Sequence, residues 1–140
     1  MKDTGLIMEK LKELDRYLKQ LKVYKEITTE ELADNLDQLW IVERGLHLSI
    51  QILLDIGNHL LAEAGITVED YSGIFVKLAE LGVIPVEFGK RIKGMAGFRN
   101  ILVHEYANVD LKKLVAVLRE GLTDFRDFAG YIVKYIDRDE

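Results

Sequence analysis

The sequence predicts an all-α fold, an antiparallel bundle of four main helices and one short helix. Apolar residues recur three and four positions apart through most of the 140 residues, and no segment keeps the alternation typical of β-strands. The connections between these periodic segments are short, which favours antiparallel neighbours. The length suits one domain, residues 1–140, with a single hydrophobic core.

The first two helices are predicted from apolar spacing and from a capping pattern. The first runs from about Gly5 to Tyr24, where apolar residues form one stripe. The second follows Thr28, because a Thr with Glu31 three positions later is typical of a capping box. Its helical pattern continues to Gly65, with a break expected near Asn35.

The remaining helices are bounded by residues that begin or end helices. A short helix covers Tyr71 to Leu81 and ends at Gly82, a residue that favours the C-terminal cap. Pro85, the only proline, suits the first turn of the next helix, since its missing N–H is not needed there. Asp110 is predicted to cap the last helix.

Composition excludes several classes of function. The net charge of −5 argues against a protein that coats nucleic acid without selectivity. The chain has no cysteine, so disulfides and thiolate chemistry are absent. It also lacks an apolar run long enough for a secretion signal or a membrane span, so we expect a cytoplasmic protein that does not contact membranes.

One segment is locally basic. Between residues 88 and 104 there is no Asp or Glu, while Lys90, Arg91, Lys93 and Arg99 all fall there. A concentration of positive charge attracts anions. We therefore expect an anionic ligand to bind at this segment, with Lys90, Arg91 and Lys93 as candidate contacts.

The second helix carries an unusual polar stripe. At 100° per residue, Arg44, Gln51, Asp55 and Asn58 fall within about 40° of one line, flanked by two histidines. Few formal charges occur there, so the stripe is predicted to be half buried. It is either a hydrogen-bonded seam in the bundle or at a self-association interface, or a support in which Asp55 or an amide orients a side chain of another helix.

The stretch FRNILVHEY, residues 98–106, brings together side chains suited to phosphodiester chemistry. On a helix, Asn100 and His104 lie one turn apart, and Arg99 is long enough to approach them. An imidazole can transfer protons at neutral pH, and a guanidinium can stabilise the charge of a phosphorane. RNA cleavage by its own 2′-hydroxyl needs both a base and an acid, which two copies of the motif in a symmetric dimer would supply.

From residue types alone, a structural role remains open. A lone Arg and His in an apolar helix are more often a surface arginine and a histidine satisfied in the core. Trp40 and Tyr71 are interpreted as core or interface residues, and Gly94 and Gly97 as sites of close helix packing. No metal site is predicted, because His47 and His59 are too far apart on one helix to share an ion.

The motif resembles the Arg, four residues, His, one residue, Tyr signature of the HepT toxins, a branch of the HEPN superfamily. The segments ERGLHLSIQILLDIGNHL, YSGIFVKLAELGVIP and MAGFRNILVHEY are similar to that family's helix order over nearly the whole chain. The resemblance implies a HEPN-like, dimerising helical bundle. It also implies a toxin of a prokaryotic toxin–antitoxin pair, with no cofactor.

The resemblance further implies individual roles. Arg99 and His104 would be the catalytic pair of a metal-independent endoribonuclease acting on RNA, supported by Asn100 and Asp55. Tyr106 matches the tyrosine that a partner nucleotidyltransferase antitoxin (MNT) modifies with AMP, which would block RNA by bulk and charge. The alternative is a non-enzymatic helical partner that binds a nucleotide or the transferase.

Overall fold

The computed structural model describes residues 4–139, without the side chains of Tyr106 and Asp139. This part of the chain contains no β-strand. A 3₁₀ turn (Tyr106–Asn108) and a π-helical turn (Val117–Gly121) lie among its α-helices. The α-helices are α1 (Thr4–Lys22), α2 (Thr29–Asp34), α3 (Leu36–Glu63), α4 (Ser72–Glu80), α5 (Val86–Ile92), α6 (Gly94–His104), α7 (Leu111–Ala116) and α8 (Leu122–Asp139). The predicted all-α class is confirmed.

Helix α3 lies at the centre of the bundle and packs against α1, α2, α4, α6 and α8. Such enclosure follows from its sequence, because a helix that is apolar on most faces must be covered on most faces. The residues predicted to oppose the polar stripe are all buried: Leu46, Ile50, Leu53, Leu60 and Leu61. At Gly57 a Cβ atom would lie 2.5 Å from Ile74 Cγ2, so this glycine allows α4 to approach closely.

The predicted start of the second helix, the break within it and the end of the short helix are confirmed. The capping box is formed, with the Glu31 amide donating to Thr28 Oγ1 at 3.1 Å and the Thr28 amide donating to Glu31 Oε1 at 3.3 Å. The expected break falls at Asn35, whose side chain accepts from the Gln38 amide and thereby starts α3. Gly82 ends the short helix region with a φ of 84°.

The second half is more divided than predicted. The helix expected to follow Pro85 and carry the motif is interrupted at Lys93, which gives α5 and α6. Gly94 and Gly97 lie just beyond this break and weaken helix propensity there. The last helix is capped by Asp110, whose carboxylate accepts from the Lys112 amide at 2.9 Å, but a π-helical turn separates α7 from α8.

One continuous hydrophobic cluster joins these helices. Phe75 of α4 meets Phe128 of α8 edge to face, with ring centroids 6.2 Å apart, and both are fully buried. Within this bundle, α6 packs on α3. In the described part of the chain, no helix combines the length and apolarity needed to cross a membrane.

Candidate functional site

Arg99 of α6 is held in one orientation by three neighbours. Its Nε donates to Gln51 Oε1 at 2.8 Å, and its Nη1 donates to Asn100 Oδ1 at 3.0 Å. Its Cζ lies 4.7 Å from the centroid of the Tyr71 ring. These contacts involve two of the five N–H groups of a guanidinium, so three remain for a ligand. Because all three neighbours are uncharged, none of them neutralises Arg99.

Asp55 supports this arrangement through Gln51. The Gln51 Nε2 donates to Asp55 Oδ1 at 2.9 Å, which turns the amide oxygen towards Arg99. Asp55 is also 3.7 Å from Lys10 Nζ of α1. The sequence predicted that Asp55 or an amide of the stripe would orient a motif residue, and the structure assigns direct contact to Gln51. The sequence feature that pointed to Gln51 is its position four residues before Asp55, on the same face of the helix.

His104 is the last residue of α6 and is exposed. Among the described side chains it makes no hydrogen bond, so its imidazole is accessible to a ligand. The helix ends there because Glu105 has non-helical dihedral angles, φ −130° and ψ 33°. Tyr106 therefore begins the following 3₁₀ turn and does not continue the motif helix. The hydroxyl of Tyr106 lies outside the described residues.

A second polar group, Arg44 and His47, lies on the same face of α3 as Gln51. Arg44 Nη1 and His47 Nδ1 are 3.2 Å apart. A guanidinium can only donate, so His47 accepts at Nδ1 and its neutral ring carries the proton at Nε2. Burial lowers the pKa of His47, and the positive charges of Arg44 and Arg99 lower it further. The neutral imidazole is consequently favoured.

The basic residues before the motif differ in their availability. Arg91 is 2.9 Å from Asp124 and 3.4 Å from Asp127, both of α8. Lys90 is 3.4 Å from Glu87. Within residues 4–139, Lys93 has no ion-pair partner and is exposed. Of the three candidate substrate contacts, only Lys93 thus retains an uncompensated charge.

Several expectations about surrounding residues are corrected. The polar stripe was predicted to be half buried, but of its four residues only Gln51 is; Arg44, Asp55 and Asn58 are exposed. Trp40 is 56% exposed, so of the two roles predicted for it, core or interface, the core of this chain is excluded. A Cβ atom at Gly94 or Gly97 would meet nothing within 4 Å in the described structure, so close packing within the chain does not explain these glycines.

The arrangement offers acid–base and electrostatic chemistry. It combines an accessible imidazole at one end of α6 with a fixed guanidinium five residues earlier on the same helix. Preorganised positive charge of this kind stabilises negative charge that develops in a transition state. In the described part of the chain, no three His, Asp or Glu side chains cluster closely enough to hold a metal ion.

The fold and the site together define an all-helical domain that carries an Arg–Asn pair and a terminal histidine on a helix packed against a central helix. The family model described as Ribonuclease HepT-like matches residues 9–132. This chain therefore belongs to the HepT-like family, as the motif predicted.

Two relatives and one solved structure illustrate the similarity. A tRNA nuclease HepT of Aphanizomenon flos-aquae is 28% identical over 133 residues, 94% of this chain and 90% of that protein. An mRNA nuclease HepT of Shewanella oneidensis is 27% identical over 131 residues, 92% of this chain and 97% of that protein. The structure of a tri-AMPylated Shewanella oneidensis HEPN toxin in complex with MNT antitoxin matches with a TM-score of 0.82 and 25% identity, covering 96% of this chain and 99% of that one.

Proposed function

We propose that this protein is the toxin of a prokaryotic toxin–antitoxin pair and acts as a metal-independent endoribonuclease. The observation that carries the proposal is the uncompensated Arg99 guanidinium, fixed by Gln51, Asn100 and Tyr71 on the helix that ends at the accessible His104. Membership of the HepT-like family supports RNA as the substrate, because its relatives are named as nucleases of tRNA and mRNA.

In the proposed reaction, His104 removes the proton from a ribose 2′-hydroxyl. The 2′-oxygen then attacks the adjacent phosphorus, and Arg99 stabilises the negative charge of the phosphorane. The bond from phosphorus to the 5′-oxygen breaks, and an acid protonates that leaving oxygen. The products are a 2′,3′-cyclic phosphate and a 5′-hydroxyl. Asn100 contributes by holding Arg99 Nη1.

The acid is proposed to come from a second copy of the chain. His47 is not suited to this step, because burial and the adjacent arginines favour its neutral form. The proposed homodimer would bring two copies of His104 to one cleft, where one imidazole acts as base and the other as acid. Lys93 is proposed to contact the RNA backbone from the start of α6.

The proposed control of the toxin is AMP transfer to Tyr106 by a partner nucleotidyltransferase antitoxin. Tyr106 follows His104 by two residues, and the similar HEPN toxin is described as tri-AMPylated and in complex with MNT. A bulky, negatively charged nucleotide at this position would exclude RNA by occupancy and repulsion.

The test of the catalytic assignment is cleavage of a labelled RNA in EDTA, with the product ends mapped. We expect wild-type protein, verified by mass as unmodified, to leave cyclic phosphate ends. His104→Ala should lose this cleavage, whereas His59→Ala, which removes an imidazole from α3, should retain it. Equal cleavage by His104→Ala would contradict the assignment. Absence of cleavage by wild type would favour a non-enzymatic partner of the transferase.

The test of the modification is mass spectrometry after coexpression with the cognate transferase. We expect mass additions of AMP on wild-type protein and none on Tyr106→Phe. Tyr24→Phe serves as the matched control, because it removes a different tyrosine hydroxyl and should leave the pattern unchanged. The same mass additions on Tyr106→Phe would refute Tyr106 as the acceptor.

A further inference from the structure

A cleft of about 320 Å³ lies between α3 and α6, beside the motif. Its lining residues are Trp40, Glu43, Arg44, His47, Leu102 and Val103. Leu102 and Val103 directly precede His104 in the chain. A ligand in this cleft would therefore lie next to the part of α6 that carries the proposed base.

Trp40 forms an aromatic wall of the cleft. Its side chain is 56% exposed, and it is the only tryptophan in the sequence. Burying a large indole is ordinarily favourable, so one left accessible at the edge of the cleft is available for stacking. Stacking on an aromatic side chain is a common way for proteins to hold an unpaired base.

Glu43 provides an unsatisfied acceptor in the same cleft. The residue is only 7% exposed, and among the described residues its buried Oε2 has no hydrogen-bond partner. Burial raises the pKa of its carboxyl group. A buried polar atom without a partner is costly, and an N–H group of a ligand would relieve that cost.

Arg44 and His47 supply donors on the polar side of the cleft. Their mutual contact does not use the other N–H groups of Arg44 or the Nε2–H of His47, so these donors are available to a ligand. Donors of this kind suit the oxygens of a phosphate. The cleft thus combines an aromatic surface, a buried acceptor and adjacent donors, a set that matches the ring of a base, its amino group and the adjoining phosphate.

We propose that this cleft binds one nucleotide of the RNA, with the base stacked on Trp40 and its exocyclic amino group donating to Glu43. Arg44 and His47 contact the adjoining phosphate. Adenine, guanine and cytosine carry such an amino group, whereas the N3–H of uracil lies between two carbonyl oxygens that a carboxylate would repel, so the site selects against uracil. The proposal rests on the proposed function for its substrate class and adds a base preference to it.

The first experiment uses the intrinsic fluorescence of Trp40, the only tryptophan in the sequence. Because Trp40 also lines a second cavity, against Tyr17 and Leu21 of α1, the Glu43→Gln variant described below shows which of the two is occupied. AMP, GMP, CMP and UMP are each titrated into the purified full chain in EDTA. We expect saturable quenching by the three amino-bearing nucleotides. UMP should bind about fivefold more weakly, as expected for loss of one hydrogen bond to a buried acceptor.

Glu43→Gln tests the acceptor directly. Glutamine has nearly the same shape but also supplies an N–H donor, which uracil carbonyls can accept. We expect this variant to bind UMP at least as tightly as the other three nucleotides. Glu69→Gln, an exposed change outside the cleft, should retain the wild-type preference. Thermal unfolding of both variants verifies that they are folded.

Two outcomes would overturn the proposal. One is the absence of quenching by every nucleotide. Iodide, which quenches exposed tryptophans, is the control: if it also fails to quench, a second copy of the chain covers Trp40 and the cleft is closed to nucleotides. The other is equal binding of all four nucleotides by both wild type and Glu43→Gln. Neither outcome depends on RNA cleavage, so failure of the subsite and failure of the proposed ribonuclease activity are distinguished.

Discussion

Arg91 of α5 and Arg99 of α6 occupy similar local settings but have different partners. Each guanidinium lies over an aromatic ring, Arg91 at 5.1 Å from the Phe88 centroid and Arg99 at 4.7 Å from the Tyr71 centroid. Arg91 faces the carboxylates of Asp124 and Asp127. Arg99 is instead bonded to the amide oxygens of Gln51 and Asn100.

The difference separates a structural cation from one available to a ligand. A carboxylate cancels most of the charge of an arginine, whereas an amide fixes its orientation and leaves the charge in place. Arg91 also lines a cavity of about 630 Å³, where Glu120, Asp124 and Asp127 outnumber the two cations, Arg91 and Lys113. The α5–α8 side is therefore unfavourable for anions, while the α3–α6 side retains positive charge.

The largest expected effect comes from removing each arginine in turn. Arg99→Ala should lower the rate of RNA cleavage by about 10²- to 10³-fold, as for loss of a preorganised group that stabilises transition-state charge. Arg91→Ala should leave the rate within about threefold of wild type, because its charge is already paired. Single-turnover cleavage at saturating protein measures both. Equal losses in the two variants would contradict the distinction.

A smaller effect on cleavage is expected from giving Arg99 a carboxylate partner, as Arg91 has. Gln51→Glu would bring a carboxylate to Arg99 Nε, so we expect weaker RNA binding and about tenfold slower cleavage. Gln51→Leu should slow cleavage with less effect on binding, because the charge persists but its orientation is lost. Fluorescence anisotropy with a non-cleavable RNA and single-turnover rates separate the two effects. A Gln51→Glu variant with wild-type behaviour would refute the role of an uncompensated charge.

The pKa of His47 provides a direct measure of that charge. Burial is the main cause that lowers it, and the positive charges of Arg44 and Arg99 add to the effect. Arg99→Ala should therefore raise the pKa of His47 part of the way to its ordinary value, while Arg91→Ala should not change it. NMR titration of the imidazole protons measures this, with His47→Gln assigning the resonance. No difference between the two variants would contradict the electrostatic account.

The same lowered pKa gives the sign of a pH effect on stability. The folded state favours the neutral ring of His47. Its contribution to the free energy of unfolding is therefore fully present above the pKa of histidine in the unfolded chain, and it is lost as the pH falls through the lower pKa of His47 in the folded protein. Denaturant unfolding should accordingly show a smaller loss of stability on acidification for His47→Gln than for wild type. An identical pH dependence would argue against this linkage.

The smallest expected effect concerns the ion pairs of Arg91. Because Arg91 is more than half exposed, we expect Arg91→Ala to lower the free energy of unfolding by less than about 1 kcal/mol, and less still in high salt. Asp124→Asn should have an effect of similar size, since it removes the closer partner. Urea unfolding at low and high salt tests this, and a large salt-independent loss would indicate a packing role for the Arg91 side chain.

Local sequence signals predicted most of the helix boundaries. The capping box at Thr28, the cap at Asp110 and the glycine at position 82 all act through bonds or dihedral angles within a few residues, so they can be read without knowing the fold. The interruption at Lys93 and the π-helical turn before α8 were not predicted, because apolar periodicity continues across both.

The sequence by itself determined the all-α class, the family and the candidate pair Arg99 and His104, because helical periodicity and a short motif are local properties of the chain. Only the tertiary structure decided which of the cations are paired with carboxylates and which are not. Gln51 and Arg99, or Arg91 and Asp124, are far apart in sequence and meet because α6 packs on α3 and α5 lies beside α8. Partners of this kind are set by the packing of distant helices, which no local pattern specifies.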